Sequence, residues 1–132
     1  MLCPRDALVM ITRSLVSIVD DDESVRESLP DLVRRLGFAA KAFPSAEAFL
    51  ASDLVDQTSC LLLDIAMPGM SGPDLQRDLA NRQQLMPIIF ITASGDPAIR
   101  SRLLAKGAAE CLFKPLSAKV VLDALNAALG MR

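Results

Sequence analysis

Histidine is absent, and with it go the usual general base, the commonest metal ligand and every serine–histidine nucleophile system. Tryptophan and tyrosine are missing as well, so the usual neighbours of a bound flavin are not available. Cysteine is scarce. Cys3, Cys60 and Cys111 stand at no metal-ligand spacing, and an odd count does not suit a disulfide framework, so a reducing cytoplasm is the expected location. No apolar run approaches the roughly 20 residues needed to cross a bilayer, and no membrane association is expected. Residues 1–14 have only a short apolar core from Ala7 to Ile11 and carry Asp6. They lack the apolar region of a secretory signal and read as an extension ahead of the fold. Neither charge sign dominates: 14 basic side chains face 16 acidic ones, a net −2 that provides no field for nucleic acid, so direct nucleic-acid binding by this domain is not expected. Chemistry in this chain must run on carboxylates, hydroxyls and lysine.

What is present is an apolar content of 52% in a 132-residue chain, enough for one self-sufficient core that buries roughly two-thirds of the unfolded surface. Short apolar runs at Leu15 to Val19, Ala39 to Phe43, Cys60 to Leu63, Ile88 to Thr92 and Cys111 to Phe113 alternate with helical patterns. That rhythm predicts βα units around a parallel sheet, an α/β three-layer sandwich. Runs such as Leu61-Leu62-Leu63 and Ile88-Ile89-Phe90-Ile91 lack polar alternation, as central strands covered on both faces should. Between them, Val25, Leu29, Leu32, Val33 and Leu36 form one helical stripe closed by Gly37. Ser45, Ser71, Asp96 and Ser117 are predicted N-caps, with Asp74 three residues after Ser71 and Pro97 directly after Asp96. Pro30 sits inside the first helix, where it cannot donate to the Arg26 carbonyl; a kink is expected there, at a cost of about 3 kcal/mol relative to a good helix former. No repeat, low-complexity tract or linker is visible.

Four strand ends carry polar groups: Asp20, Asp21 and Asp22 after the first, Asp64 after the third, Thr92 and Ser94 after the fourth, and Lys114 before Pro115 after the fifth. In an open parallel sheet the carboxyl edge collects functional groups, so these converge if the four strands are neighbours. Two carboxylates 4 Å apart repel by roughly 4 kcal/mol at an effective dielectric near 20. Lys114 supplies one counter-charge, and a hard divalent cation with oxygen ligands, magnesium or manganese, is the natural second. Asp64 then becomes a nucleophile toward an incoming phosphoryl group, with Thr92 and Lys114 as partners of the product's oxygens. Asp22 has two readings, a helix cap alone or an outer group of the ion site.

The acid run Ile18-Val19-Asp20-Asp21-Asp22, the stretch from Leu63 to Gly72, the pair Thr92-Ala93 and the pair Lys114-Pro115 resemble bacterial response-regulator receiver domains, in family order and spacing from about Leu15 to Leu129. The segments Ser45 to Leu50 and Met67 to Gly72 look most like the subgroup typified by nitrogen-fixation regulators. The resemblance implies a flavodoxin-like (CheY-like) fold of five parallel strands and five helices, here spanning residues 15–130. It implies a two-component function in which Asp64 accepts phosphate from a sensor histidine kinase or a phosphotransfer protein. Asp20, Asp21, Asp64 and the backbone carbonyl of Ala66 would hold magnesium, Thr92 and Lys114 would bind phosphate and switch, and the Lys114–Pro115 bond would be cis. It further implies a signal carrier that is not an enzyme beyond taking its own phosphate from a donor and slowly losing it. The fourth helix, fifth strand and fifth helix would form the face that commonly dimerises, and an output domain would lie outside this chain or in a partner.

One position departs from the family pattern. Three residues before the lysine the family usually carries an aromatic ring that rotates as the threonine moves; here stands Cys111. With no ring to swing, the expected switch is Thr92 with the loop through Ser94 to Pro97, and little repacking at Cys111. A phosphate-independent interaction module is the alternative that Cys111 keeps open. A haloacid-dehalogenase-type phosphatase would need an acid where Ala66 stands, and a flavin carrier would need a first loop that does not repel phosphate.

Overall fold

The computed structural model describes residues 14–93 and 95–130. The expected extension therefore lies outside the described residues except for Ser14, and so does Ser94. The described chain runs β1 (Leu15–Val19), α1 (Glu23–Arg35), β2 (Ala39–Phe43), α2 (Ala46–Ala51), a 3-10 turn (Val55–Gln57), β3 (Thr58–Asp64), α3 (Gly72–Asn81), β4 (Ile88–Thr92), α4 (Pro97–Ala105), β5 (Glu110–Phe113) and α5 (Ala118–Ala128). All strand pairs are parallel, in the order β2-β1-β3-β4-β5.

The apolar strands alternate between two cores rather than between core and water. Val16, Ile18, Cys60, Leu62, Ile89 and Ile91 pack with Leu29 and Val33 of α1 and Val121 and Leu125 of α5. Their sequence neighbours Val19, Leu61, Leu63, Ile88 and Phe90 pack on the other side with Phe49 of α2, Leu75 and Leu79 of α3 and Leu103 of α4. The side-chain period of two thus sends successive residues of one uninterrupted run to opposite helical layers. Ser17 is the buried polar exception in β1, and its hydroxyl is satisfied by Thr58 Oγ1 at 2.7 Å.

The predicted caps are formed. Asp22, Ser45, Ser71, Asp96 and Ser117 each accept a backbone N–H of their own helix, and Ser71 with Asp74 makes a reciprocal capping box. Helix α1 continues through Pro30 to Arg35, with Pro30 buried beside Leu29 in the layer that covers the sheet. Packing of the apolar stripe thus carries the helix past a residue that removes one of its own bonds. The 3-10 turn before β3 was not foreseen, and β3 extends beyond the Cys60–Leu63 run to include Thr58 and Asp64.

Candidate functional site

Because β1 lies between β2 and β3, the chain leaves β1 in one direction and returns past it in the other. A crevice opens at that reversal, above the carboxyl ends of β1 and β3. Asp20 directly follows β1 and Asp64 ends β3, so both carboxylates face it. The register sets Asp64 beside Ile91 and Thr92 beside Phe113, which brings Thr92 and Lys114 to the same edge. The Lys114 N–H donates to the Thr92 carbonyl at 2.8 Å, and the Lys114–Pro115 peptide bond is cis.

Asp20 is fully buried and held from several sides. Its N–H donates to the Phe43 carbonyl, its Oδ1 accepts the Asp22 N–H at 2.9 Å, and its carbonyl accepts Arg26 Nη1 at 3.0 Å. Lys114 Nζ lies 3.0 Å from Asp20 Oδ2 and 4.0 Å from Asp64 Oδ1. Asp64 Oδ1 also accepts the N–H of Ile65 at 2.9 Å. Carboxylate oxygens of Asp20, Asp21 and Asp64 all lie within 4.8 Å of one another, with Asp21 exposed above the two buried acids.

Burial pushes the Asp64 carboxyl up to about 7, and the neighbouring charge of Asp20 and the proximity of Asp21 add to the rise, against the opposing pull of Lys114. Burial by itself would lower the Lys114 ammonium. Its hydrogen bond and attraction to Asp20, followed by Asp64 and Asp22, outweigh that and hold it above an ordinary lysine. The lysine alone therefore does not neutralise the three acids. Asp20 Oδ2 is buried with Lys114 Nζ 3.0 Å away, and the same ammonium also faces Asp64, so one cation is shared among the clustered acids. Three carboxylates of this spacing are an oxygen-donor set that suits a hard divalent cation.

Asp22 resolves as the cap: its Oδ1 accepts from the Ser24 N–H at 2.9 Å and the Ser24 hydroxyl at 2.8 Å, and it is not among the three clustered acids. Cys111 is buried on β5 in the layer of Leu103, Ala108 and Phe90, and burial, followed by the Glu110 charge, raises its thiol. Its N–H donates to Glu110 Oε1, which also takes Arg100 of α4 at 2.7 Å. Cys60 is likewise buried packing, with its thiol pushed up to about 12 by desolvation.

Three further residues shape the site and were not singled out in the sequence. Arg26 donates its Nη1 to the Asp20 carbonyl and so secures the acid loop from α1. Gly72 closes the loop after Asp64 through its N–H to the Ile65 carbonyl at 2.8 Å. A Cβ at Gly72 would collide with the Asp64 carbonyl and come within 3.1 Å of Ile65 Cα. Glu47 of α2 reaches the tip of the same loop. The glycine had a signal as part of a turn-rich stretch before a helix, and Glu47 lay in the Ser45 to Leu50 segment of the subgroup likeness.

Fold and site together define a doubly wound domain with an acid crevice, a threonine and a lysine at one sheet edge. The description of the response regulator receiver domain matches residues 16–126, and the chain belongs to that family. Nodulation protein W of Bradyrhizobium diazoefficiens is 44% identical over 117 residues, covering 89% of this chain and 52% of that protein. Among solved structures, the response regulator StyR superposes with a TM-score of 0.81 at 43% identity, covering 90% of this chain and 60% of that one. The N-terminal part of FixJ superposes at 0.78 with 37% identity, covering 89% and 94%. The chain spans about half the length of the curated relatives it matches. Among the described residues no helix is long and apolar enough to cross a membrane.

Proposed function

We propose that residues 15–130 form the phosphoacceptor switch of a cytoplasmic two-component system, with Asp64 taking a phosphoryl group from a histidine kinase or phosphotransfer protein. The observation that carries this reading is the convergence of Asp20, Asp21 and Asp64 within 4.8 Å, with Lys114 3.0 Å from the first and 4.0 Å from the last. Magnesium, or manganese, held by Asp20, Asp21, Asp64 and the Ala66 carbonyl, would supply positive charge for the phosphoryl oxygens and keep Asp64 ionised. Asp64 attacks phosphorus through a carboxylate oxygen, the bond from phosphorus to the donor breaks, and the donor leaves with that electron pair. Lys114, already at the crevice, pairs with one phosphoryl oxygen of the product. The Thr92 hydroxyl donates to another, drawing the loop toward Pro97 inward.

A groove of about 430 Å³ between α1 and the β5–α5 connection, lined by Val25, Leu29, Leu32, Pro115 and Leu116, borders Lys114 and supports docking of the donor protein next to the acceptor. Phe113 and Val120, large apolar side chains exposed on β5 and α5, support a homodimer face. The domain catalyses nothing beyond its own phosphorylation from a donor and its slow reversal. Control of transcription would come through an output domain beyond this chain or through a partner.

Intact-mass spectrometry after incubation with magnesium and acetyl phosphate tests the reading. A labile gain of one phosphoryl group is expected, absent from Asp64→Asn and from samples without metal. A folded, metal-bound protein that takes up no phosphate would favour the phosphate-independent interaction module.

A further inference from the structure

The two segments that carry the subgroup likeness, Ser45 to Leu50 and Met67 to Gly72, are joined in the fold. Glu47 stands in the first turn of α2, a helix whose start is set by the Ser45 cap. Its Oε2 accepts the Met70 N–H at 3.1 Å across 23 positions of sequence. Gly69 approaches the same oxygen. Its φ of +75° is in the left-handed region, and a Cβ there would stand 2.7 Å from Glu47 Oε2. From below, Met67 is buried in the apolar layer of Phe43, Ala46 and Phe49, where the two rings meet edge to face at 5.3 Å. At the base, Gly72 N–H bonds the Ile65 carbonyl at 2.8 Å. The loop from Ile65 to Gly72 is therefore closed at its base, anchored underneath by Met67 and tied at its tip by one carboxylate oxygen from a different helix.

We propose that Glu47 is a positioning residue for the acceptor site: by holding the Met70 N–H it sets the loop that presents the Ala66 carbonyl, so that magnesium binds a loop already in place. This rests on the reading of Ala66 as a metal ligand. An N–H bonded to a carboxylate is among the stronger exposed hydrogen bonds, and without it the loop tip is ordered only when the ion arrives. Ordering at the moment of binding subtracts from affinity, whereas a preformed loop does not. Helix α2 thereby belongs to the metal site although none of its residues touches the ion.

Calorimetric titration of the 132-residue chain with magnesium, together with hydrogen exchange at the Met70 amide, tests this. Glu47→Ala is expected to weaken magnesium binding about fivefold, the loss of one hydrogen bond, to speed Met70 exchange in the metal-free protein, and to lower the metal-free melting temperature by no more than about 2–4 °C. Glu47→Gln keeps an acceptor oxygen and should recover most of the affinity. Wild-type magnesium affinity in Glu47→Ala, or a Glu47→Gln variant as weak as the alanine, would overturn the proposal. A wild-type chain that binds no magnesium would instead overturn the metal reading beneath it.

Discussion

Asp64 sits where two tendencies oppose each other: its carboxyl must be ionised to act as a nucleophile, yet burial and Asp20 raise it to about 7. In the metal-free protein the folded state therefore binds a proton that the unfolded chain, with an ordinary aspartate near 3.8, gives up earlier. The stability owed to this group is fully present below about pH 3.8 and is lost as pH rises through about 7. Denaturant unfolding of the metal-free chain between pH 5 and 8 should show this downward contribution, and Asp64→Asn should remove it. Magnesium, which competes with that proton, should bind more tightly as pH rises toward and past 7; a flat affinity over that range would contradict the raised carboxyl. Gly72 is constrained differently, by space. Gly72→Ala forces a methyl group against the Asp64 carbonyl and should cost about 2–3 kcal/mol in chemical denaturation, with loss of magnesium binding because the acceptor strand must shift.

At the scale of elements, β5 and α4 show how this chain departs from its family. Cys111 fills a small, buried place among Leu103, Ala108 and Phe90, and Glu110 beside it ties Arg100 of α4 to the β5 backbone. Cys111 is buried, so a larger aromatic ring there must find its volume among these neighbours. Cys111→Phe is expected to destabilise the domain by about 1–3 kcal/mol through overpacking, read by thermal or denaturant unfolding. Glu110→Ala should cost less, about 0.5–1 kcal/mol, since the Arg100 pair is partly solvated and screened. If Cys111→Phe were neutral, β5 would have room for the swinging ring that the family uses, and the switch would not be confined to Thr92 and the following loop.

For the whole molecule, magnesium binding to the folded state alone must raise the melting temperature, by the equivalent of about 2.7 kcal/mol at a hundredfold excess over the dissociation constant. The same experiment on Asp20→Asn, which removes the buried charge of a proposed ligand, should show most of that gain lost. Structures with and without a phosphate mimic should differ at Thr92 and the segment leading to Pro97, with Cys111 nearly fixed; an unmoved segment would refute the proposed switch. The exposed Phe113 and Val120 on β5 and α5 are the surface where a change in oligomeric state upon phosphorylation should appear, by light scattering.

Most of the architecture was written locally. Apolar runs of strand length, caps such as Ser71 with Asp74, and prolines and glycines at helix boundaries are short-range signals, so the strands and helices were recognisable from residues a few positions apart. The acids, threonine and lysine at strand ends were recognisable for the same reason. Sequence placed Pro30 inside α1, and the helix does run through it to Arg35, its apolar stripe stabilised by a sheet built from distant residues. Sequence could not decide whether Asp22 caps α1 or is an outer group of the ion site; the position of Ser24 against it shows the cap. Which strands are neighbours, that Arg26 reaches the Asp20 carbonyl, and that Glu47 meets Met70 were decided by tertiary structure alone. Arg26 reaches back over six residues at the start of α1, whereas the strand order and the Glu47–Met70 contact exist because the parallel crossovers bring distant segments together at a single edge.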